Sequence, residues 1–177
     1  MEKWHDSEVV FEGKVVRLRT GMVTLDDGGL AYREVVEHPG GVCILPFTGK
    51  EFVFVRQYRI ALEMEMLEAP AGKLETGESH EECGMKSLRE EKGFVATEII
   101  DLGKVFSSVG FCTETIHLYL AAGLKQVGTQ LEPEERIEPV YMSIAEVRDA
   151  LTEYRFADSK TAIIAARALA WLDSKGH

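Results

Sequence analysis

The sequence predicts an α+β fold in which a mixed sheet is held between helices. Three observations lead there. Short apolar runs separated by turn residues fill the first third of the chain. Two serine-led capping patterns and a late alanine-rich run mark helices further on. No repeat, low-complexity tract or linker divides the sequence.

Residues 15–24 read as a strand, followed by the turn 25-LDDGG-29, whose glycines tolerate positive φ. Residues 30–36, 41–46 and 51–58 continue the series, with 48-TGKE-51 as a second tight turn. Phe52, Val53, Phe54 and Val55 form an unbroken apolar run, as in a strand buried on both faces. The polar stretch 68-EAPAGKLETGESHEE-82 reads as a loop feeding a helix. Ser79 with Glu82 makes a capping box, so the helix starts near Ser79, and Gly93 is a natural stop. Strands resume over 98–107 and 115–122, and residues 124–136 form a polar, acidic loop. Ser143 and Glu146 cap a helix reaching about Tyr154, and a last helix covers about 159–173.

A chain of 177 residues suits one domain with a full core. Twenty basic side chains against 30 acidic ones give a net charge of −10, which provides no long-range attraction to nucleic acid or anionic membranes. Neither is expected as a partner, and an anionic substrate would need local cations. Cys43, Cys83 and Cys112 form no C-x-x-C pair, which fits a reducing compartment. The segment MEKWHDSEVVFEGK carries charges where a signal peptide has its apolar core. The run 161-TAIIAARALAWL-172 is too short to span a bilayer and contains Arg167. A cytoplasmic location is expected.

Chemistry concentrates between Gly72 and Gly93. Glu75, Glu78, Glu81, Glu82, Glu90 and Glu91 stand there, opposed by Lys73, Lys86, Arg89 and Lys92. Residues three and four apart share a helix face, so Ser87 and the pair Glu90/Glu91 point the same way. Clustered carboxylates repel one another, and a hard divalent cation such as Mg²⁺ relieves that repulsion through oxygen ligands. Such an ion neutralises a diphosphate and activates a water. The plainer alternative is a solvated acidic helix face.

The framing favours the metal reading. A glycine, five residues, a glutamate, seven residues, a two-residue site, an aliphatic residue, any residue, Glu-Glu, any residue and Gly is the box of the Nudix hydrolase family. Gly72, Glu78, Leu88, Glu90, Glu91, Gly93 and Phe94 fall at that spacing. The stretches 12-EGKVVRLR-19, 33-REVVEHPGGVCILP-46, 55-VRQYR-59, 68-EAPAGKLETGE-78 and 110-GFCTETIHLYLA-121 resemble the family's ADP-ribose pyrophosphatase branch. Two departures stand out. The box's Arg-Glu is Lys86-Ser87, and Val109 replaces the branch's usual proline. A serine hydroxyl cannot supply a carboxylate's charge, and loss of a positioned acid–base group costs about 10²–10⁴ in rate. Lys86 keeps the arginine's charge without its planar fork.

The resemblance implies the Nudix αβα sandwich with a mixed sheet plus a small N-terminal antiparallel sheet. Residues 1–38 would be strands that cross to a partner subunit in a homodimer, and 39–177 the Nudix domain. Glu90 and Glu91 would be metal ligands together with the backbone carbonyl of Ala71. The metal would be Mg²⁺, with Mn²⁺ as the alternative. The acidic loop 132-EPEER-136 would enter the site, with Glu135 the first candidate base, Glu134 the next, and Glu91 also counted among the catalytic residues. Arg56 and Arg59 would contact phosphate or ribose, and Glu68 and Glu114 would lie near the site. His38 and His117 are expected to be structural. The implied reaction is hydrolysis of a nucleoside diphosphate sugar, with ADP-ribose giving AMP and ribose 5-phosphate. Ser87 keeps two other readings open. One is a weak or inactive Nudix protein that binds a nucleotide or sugar nucleotide. The other is a hydrolase of a different diphosphate, with ligands drawn from Glu78 or the late loop.

Overall fold

Three antiparallel strands, β1 (Lys3–Glu12), β2 (Arg17–Thr24) and β3 (Leu30–Glu37), pair in the order β1-β2-β3. The computed structural model describes residues 1–75, 77–128 and 136–176, without the side chains of residues 91 and 92. The turn between β2 and β3 closes as its glycines predict. Leu25 N–H donates to Gly29 O at 2.8 Å, and Gly28 takes φ 84°. The residue pattern alone marks no strand before residue 15, and β1 was expected only from the family resemblance, which implies strands over 1–38. It is exposed at all but one position, so no apolar alternation announces it, and backbone pairing to β2 defines it. Met1–Gly40 and Phe106–Thr115 make one compact unit. Inside it, Val36 N–H donates to Phe111 O at 2.7 Å and Thr113 N–H to Val36 O at 3.0 Å.

The second unit comprises Gly41–Val105 and the chain from Ile116 onward. Its elements are β4 (Gly41–Pro46), β5 (Glu51–Arg59), β6 (Met64–Glu68), β7 (Ala71–Lys73), α1 (His80–Lys92), β8 (Phe94–Val95), β9 (Glu98–Phe106), β10 (Thr115–Ala122), β11 (Lys125–Gln126), β12 (Ile137–Ser143), α2 (Ile144–Thr152) and α3 (Ser159–Lys175). One sheet runs β7-β4-β10-β9 and is mixed, because β10 lies parallel to β4 while β7 is antiparallel to it. An antiparallel sheet runs β12-β5-β6, and β11 pairs with β8.

The layering follows from β4, which is buried at every position. Val42 and Ile44 face α1: a Cβ added at Gly84 would lie 3.1 Å from Val42 Cγ1 and 3.5 Å from Ile44 Cδ1. Cys43 and Leu45 belong to the cluster built with Ile164, Ala165 and Ala168 of α3. Helix, sheet and helix therefore stack as an αβα sandwich. Phe52, Val53, Phe54 and Val55 are wholly buried, as their unbroken run predicts. Among the described residues no helix is long and apolar enough to cross a membrane.

The helix ends fall where the capping residues put them. Ser79 accepts from Glu82 N–H and the Glu82 carboxylate accepts in return, while Gly93 closes α1 with φ 66°. Ser143 and Glu146 repeat the box on α2. Asp158 caps α3 through Thr161 N–H at 3.0 Å. The stretch expected as a single loop before α1 holds the short strand β7, paired to β4 through Ala71–Cys43, Gly72–Val42 and Lys73–Gly41.

One buried ionic network ties β5, β6 and α3 together. Glu68 is 2% exposed. Arg59 grips it with Nε and Nη2 at 2.6 and 2.7 Å, and Lys160 Nζ reaches it at 2.5 Å. Lys160 also pairs with Asp158 at 2.9 Å. Burial pushes the Glu68 carboxyl up, but its hydrogen bonds and charge pairs with Arg59 and Lys160 outweigh that and hold it below the ordinary value. Burial works against the Lys160 ammonium too, yet Asp158 and Glu68 keep its pKa raised.

Two outcomes follow. Phe54 stacks on Phe156 with centroids 5.2 Å apart, so Phe54→Ala should cost about 3–5 kcal/mol in denaturant unfolding. A carboxyl whose folded pKa is depressed adds stability that is full above its unfolded pKa and fades as pH falls through the folded one. Thermal melts should therefore drop as pH falls below about 4.3. Glu68→Gln should be less stable than wild type by about 3–5 kcal/mol at pH 7 and show a shallower acid slope. Equal acid slopes would remove Glu68 as a source of the pH dependence.

Candidate active site on helix α1

Helix α1 presents Ser87 and Glu90 one turn apart on a common face. A pocket of about 240 Å³ opens there, lined by Ala71, Gly72, Glu75, Glu78, Ser87 and Glu90 together with Lys73, Cys83 and Lys86. Gly72 explains how strand and helix come so close. A Cβ at that position would lie 2.1 Å from Ser87 Oγ, so glycine lets β7 lie against α1 with the Ser87 hydroxyl in place. The approach sets Ala71 on the same pocket as Ser87 and Glu90.

Ser87 is 7% exposed, and its hydroxyl has no hydrogen-bond partner among the described residues. An orphaned buried hydroxyl is uncommon and marks a place where another group is expected. Lys86 does not serve this face. Its Nζ binds Glu75 Oε1 at 2.9 Å, which raises the lysine's pKa and lowers the glutamate's. Glu78 Oε2 accepts from Glu75 N–H at 3.2 Å. The Cys83 thiol is pushed up to about 12 by burial and then by Glu78, so it stays neutral, donating to Lys73 O at 3.5 Å. Glu75, Glu78 and Glu90 thus bring carboxylates to a pocket whose lysine 86 is already engaged. Among the described residues no three His, Cys, Asp or Glu side chains converge tightly enough to hold a metal. Two positions of the box bear on that: Ser87 lacks a carboxylate, and the Glu91 side chain lies outside the described residues.

None of the other described candidates lines this pocket. Glu134 and Glu135 lie outside the described residues, as does the rest of 129–135. Arg56 lines a second pocket of about 340 Å³ with Tyr58, Glu65, Arg136 and Glu138, and its Nε stands 4.0 Å from Glu138 Oε2. Arg59 and Glu68 are bound to each other in the buried network. Glu114 belongs to the first unit, where its Oε1 lies 3.5 Å from His38 Nδ1. That nitrogen already accepts Gly40 N–H at 3.0 Å, so it carries no proton toward Glu114. His117 stacks on His80 with centroids 3.6 Å apart, and burial followed by the His80 charge lowers its pKa. Lys160, Asp158 and Thr161 were not anticipated. Asp158 could have been found as a helix cap, but a partner 92 residues from Glu68 leaves no local trace.

Comparison with known proteins agrees with the box and the fold. The NUDIX domain family model matches residues 37–163. The methanol dehydrogenase activator of Bacillus methanolicus is 38% identical over 165 residues, 92% of this chain and 89% of that one. The ADP-ribose pyrophosphatase of Bacillus subtilis strain 168 is 34% identical over 164 residues, 91% of this chain and 89% of that one. A crystal structure of an ADP compounds hydrolase superposes with a TM-score of 0.88, covering 99% of this chain and 96% of that one at 20% identity, a likeness of fold. A family model over most of the chain, and relatives above 30% identity that span about nine-tenths of it, settle the assignment: the chain belongs to the Nudix hydrolase family, on its ADP-ribose pyrophosphatase branch.

Proposed function

We propose that this protein hydrolyses the diphosphate of a nucleoside diphosphate sugar, with ADP-ribose the first candidate and AMP and ribose 5-phosphate the products. The observation that carries this reading is the pocket in which the Ala71 strap meets the Ser87–Glu90 face of α1. The residues that line it include the Glu90 carboxylate, the Ala71 backbone and the Ser87 hydroxyl, which has no partner among the described residues, and oxygen donors of this kind suit a hard divalent cation, Mg²⁺ or Mn²⁺. Glu90, Glu91 and Ala71 would hold it. Once bound, such a cation neutralises the diphosphate and makes a water more acidic.

The chain's own groups divide the remaining work. Glu135, or Glu134 beside it, takes the proton of the attacking water as its oxygen bonds to one phosphorus and the bridging P–O bond breaks. Arg56 supplies the cationic contact to phosphate or ribose. Arg59 is the weaker candidate because Glu68 already occupies its fork. Glu114 is kept as a further contact to substrate. The N-terminal strands are proposed to pair with a second copy of the chain in a homodimer. Exposed Trp4, Val10 and Phe11 on β1 support that.

Ser87 favours a second reading. With one carboxylate fewer, the same pocket would bind a nucleotide or sugar nucleotide with little turnover. The Bacillus methanolicus relative bears the name of an activator of another enzyme, which is compatible with a role other than simple hydrolysis.

AMP release from ADP-ribose with Mg²⁺, measured in wild type, Ser87→Glu and Glu90→Gln, separates these. Hydrolysis predicts wild-type turnover that Glu90→Gln abolishes and that Ser87→Glu raises by about 10²–10⁴-fold. A silent wild type beside an active Ser87→Glu would favour the binding reading. Silence in both would remove ADP-ribose and direct the assay to other diphosphates.

A further inference from the structure

We infer that Lys160 and Thr161, in the first turn of α3, are positioning residues for the cation site, because they hold the strap 69–73 in the register that sets Ala71 beside Ser87 and Glu90. The inference rests on the cation reading of the preceding subsection and concerns residues outside the Nudix box.

The strap is short and has few anchors. Ala69 N–H donates to Thr161 Oγ1 at 2.7 Å, Ile44 N–H donates to Pro70 O at 2.9 Å, and β7 pairs with β4 over three residues. Thr161 is fully buried, and its single hydroxyl proton goes to Asp158 Oδ2 at 2.5 Å. Its lone pairs are therefore aimed at the Ala69 amide, and the hydroxyl cannot turn away without losing the carboxylate. Asp158 is fixed in turn by Lys160 Nζ at 2.9 Å. The same ammonium binds Glu68, the residue before Ala69, at 2.5 Å. Two successive residues of the chain, one through its side chain and one through its backbone, are thus gripped from one helical turn.

Stability is not the sole account of this device. Glu68 is buried and Lys160 and Asp158 are partly so, which exacts desolvation, and an apolar set of equal volume often serves stability as well. What a saturated ionic network adds is a fixed geometry. A cation site needs its ligands held within about 0.5 Å, and the strap contributes a backbone ligand that no rotamer can adjust. The chain therefore runs from Lys160 and Asp158 to Thr161, to the Ala69 amide, to Ala71, and to Gly72, where a Cβ would strike Ser87.

The test uses the full-length protein. Thr161→Val keeps the shape and removes the acceptor, Thr161→Ser keeps the hydroxyl, and Lys160→Met removes the ammonium. Mn²⁺ affinity is read by paramagnetic resonance, amide exchange over 69–73 by mass spectrometry, and folding by thermal melts. Thr161→Val and Lys160→Met should weaken Mn²⁺ binding by about 10–100-fold, as loss of outer-shell partners typically does, with faster exchange confined to the strap. Thr161→Ser should behave as wild type. A lowered melting temperature with unchanged Mn²⁺ affinity in Thr161→Val would overturn the inference and leave only a structural role. If Lys160→Met does not fold, Thr161→Val decides alone. A wild type that takes up no Mn²⁺ would overturn the cation reading itself. A wild type that binds while Thr161→Val binds equally well overturns only the positioning role.

Discussion

The approach of a strand to a helix at a residue without a side chain is the constraint on which the site depends. Gly72 lets β7 lie against Ser87, and from that contact the pocket, the placement of Ala71 and the convergence of oxygen donors all follow. Any larger residue would have to displace the Ser87 hydroxyl from that contact. The same contact sets what position 87 can do. Its oxygen lies against the strap at the pocket wall, where a hydroxyl offers a neutral donor and a carboxylate would add charge.

Charge shapes the pocket as much as packing does. The chain is strongly acidic, and the lysine that stands in the box is turned to Glu75. Glu78 and Glu90 also line the cavity, and the thiol of Cys83 is kept neutral beside them. A diphosphate approaching this surface meets like charge unless a cation bridges the two. Around the second pocket Arg56 and Arg136 bring positive charge to a surface that is otherwise acidic.

Much of the fold could be read locally. The boxes at Ser79/Glu82 and Ser143/Glu146 and the glycine at 93 mark helix ends because capping is a contact between residues three or four apart. The run 52–55 announces a doubly buried strand, since its composition alone reports burial. β7 and β12 were not legible, and β1 only through the family resemblance. β1 is exposed on both faces, β7 is three residues long, and β12 has a single buried position, so pairing defines them more than pattern does. At the site, box spacing revealed Gly72, Ser87, Glu90 and Glu91, which sit on one helix and its approach. The engagement of Arg59 by Glu68 and the grip of Lys160 and Thr161 join residues far apart in sequence, and no periodicity encodes them.

Helix α1 runs from His80 to Lys92, so Glu90 and Glu91 fall in its last turn. The aligned peptide dipoles leave about half a negative charge at that end, and each acidic side chain there is disfavoured by about 0.3–1 kcal/mol. The paired glutamates therefore stand against the helix macrodipole, with Arg89 and Lys92 of the same turn offsetting part of that cost. A cation seated on them would relieve both the mutual repulsion and the dipole, and so would bind the folded chain in preference to the unfolded one. The free energy of folding and the occupancy of the pocket are then linked quantities, and the stability of this protein becomes a function of divalent-ion concentration.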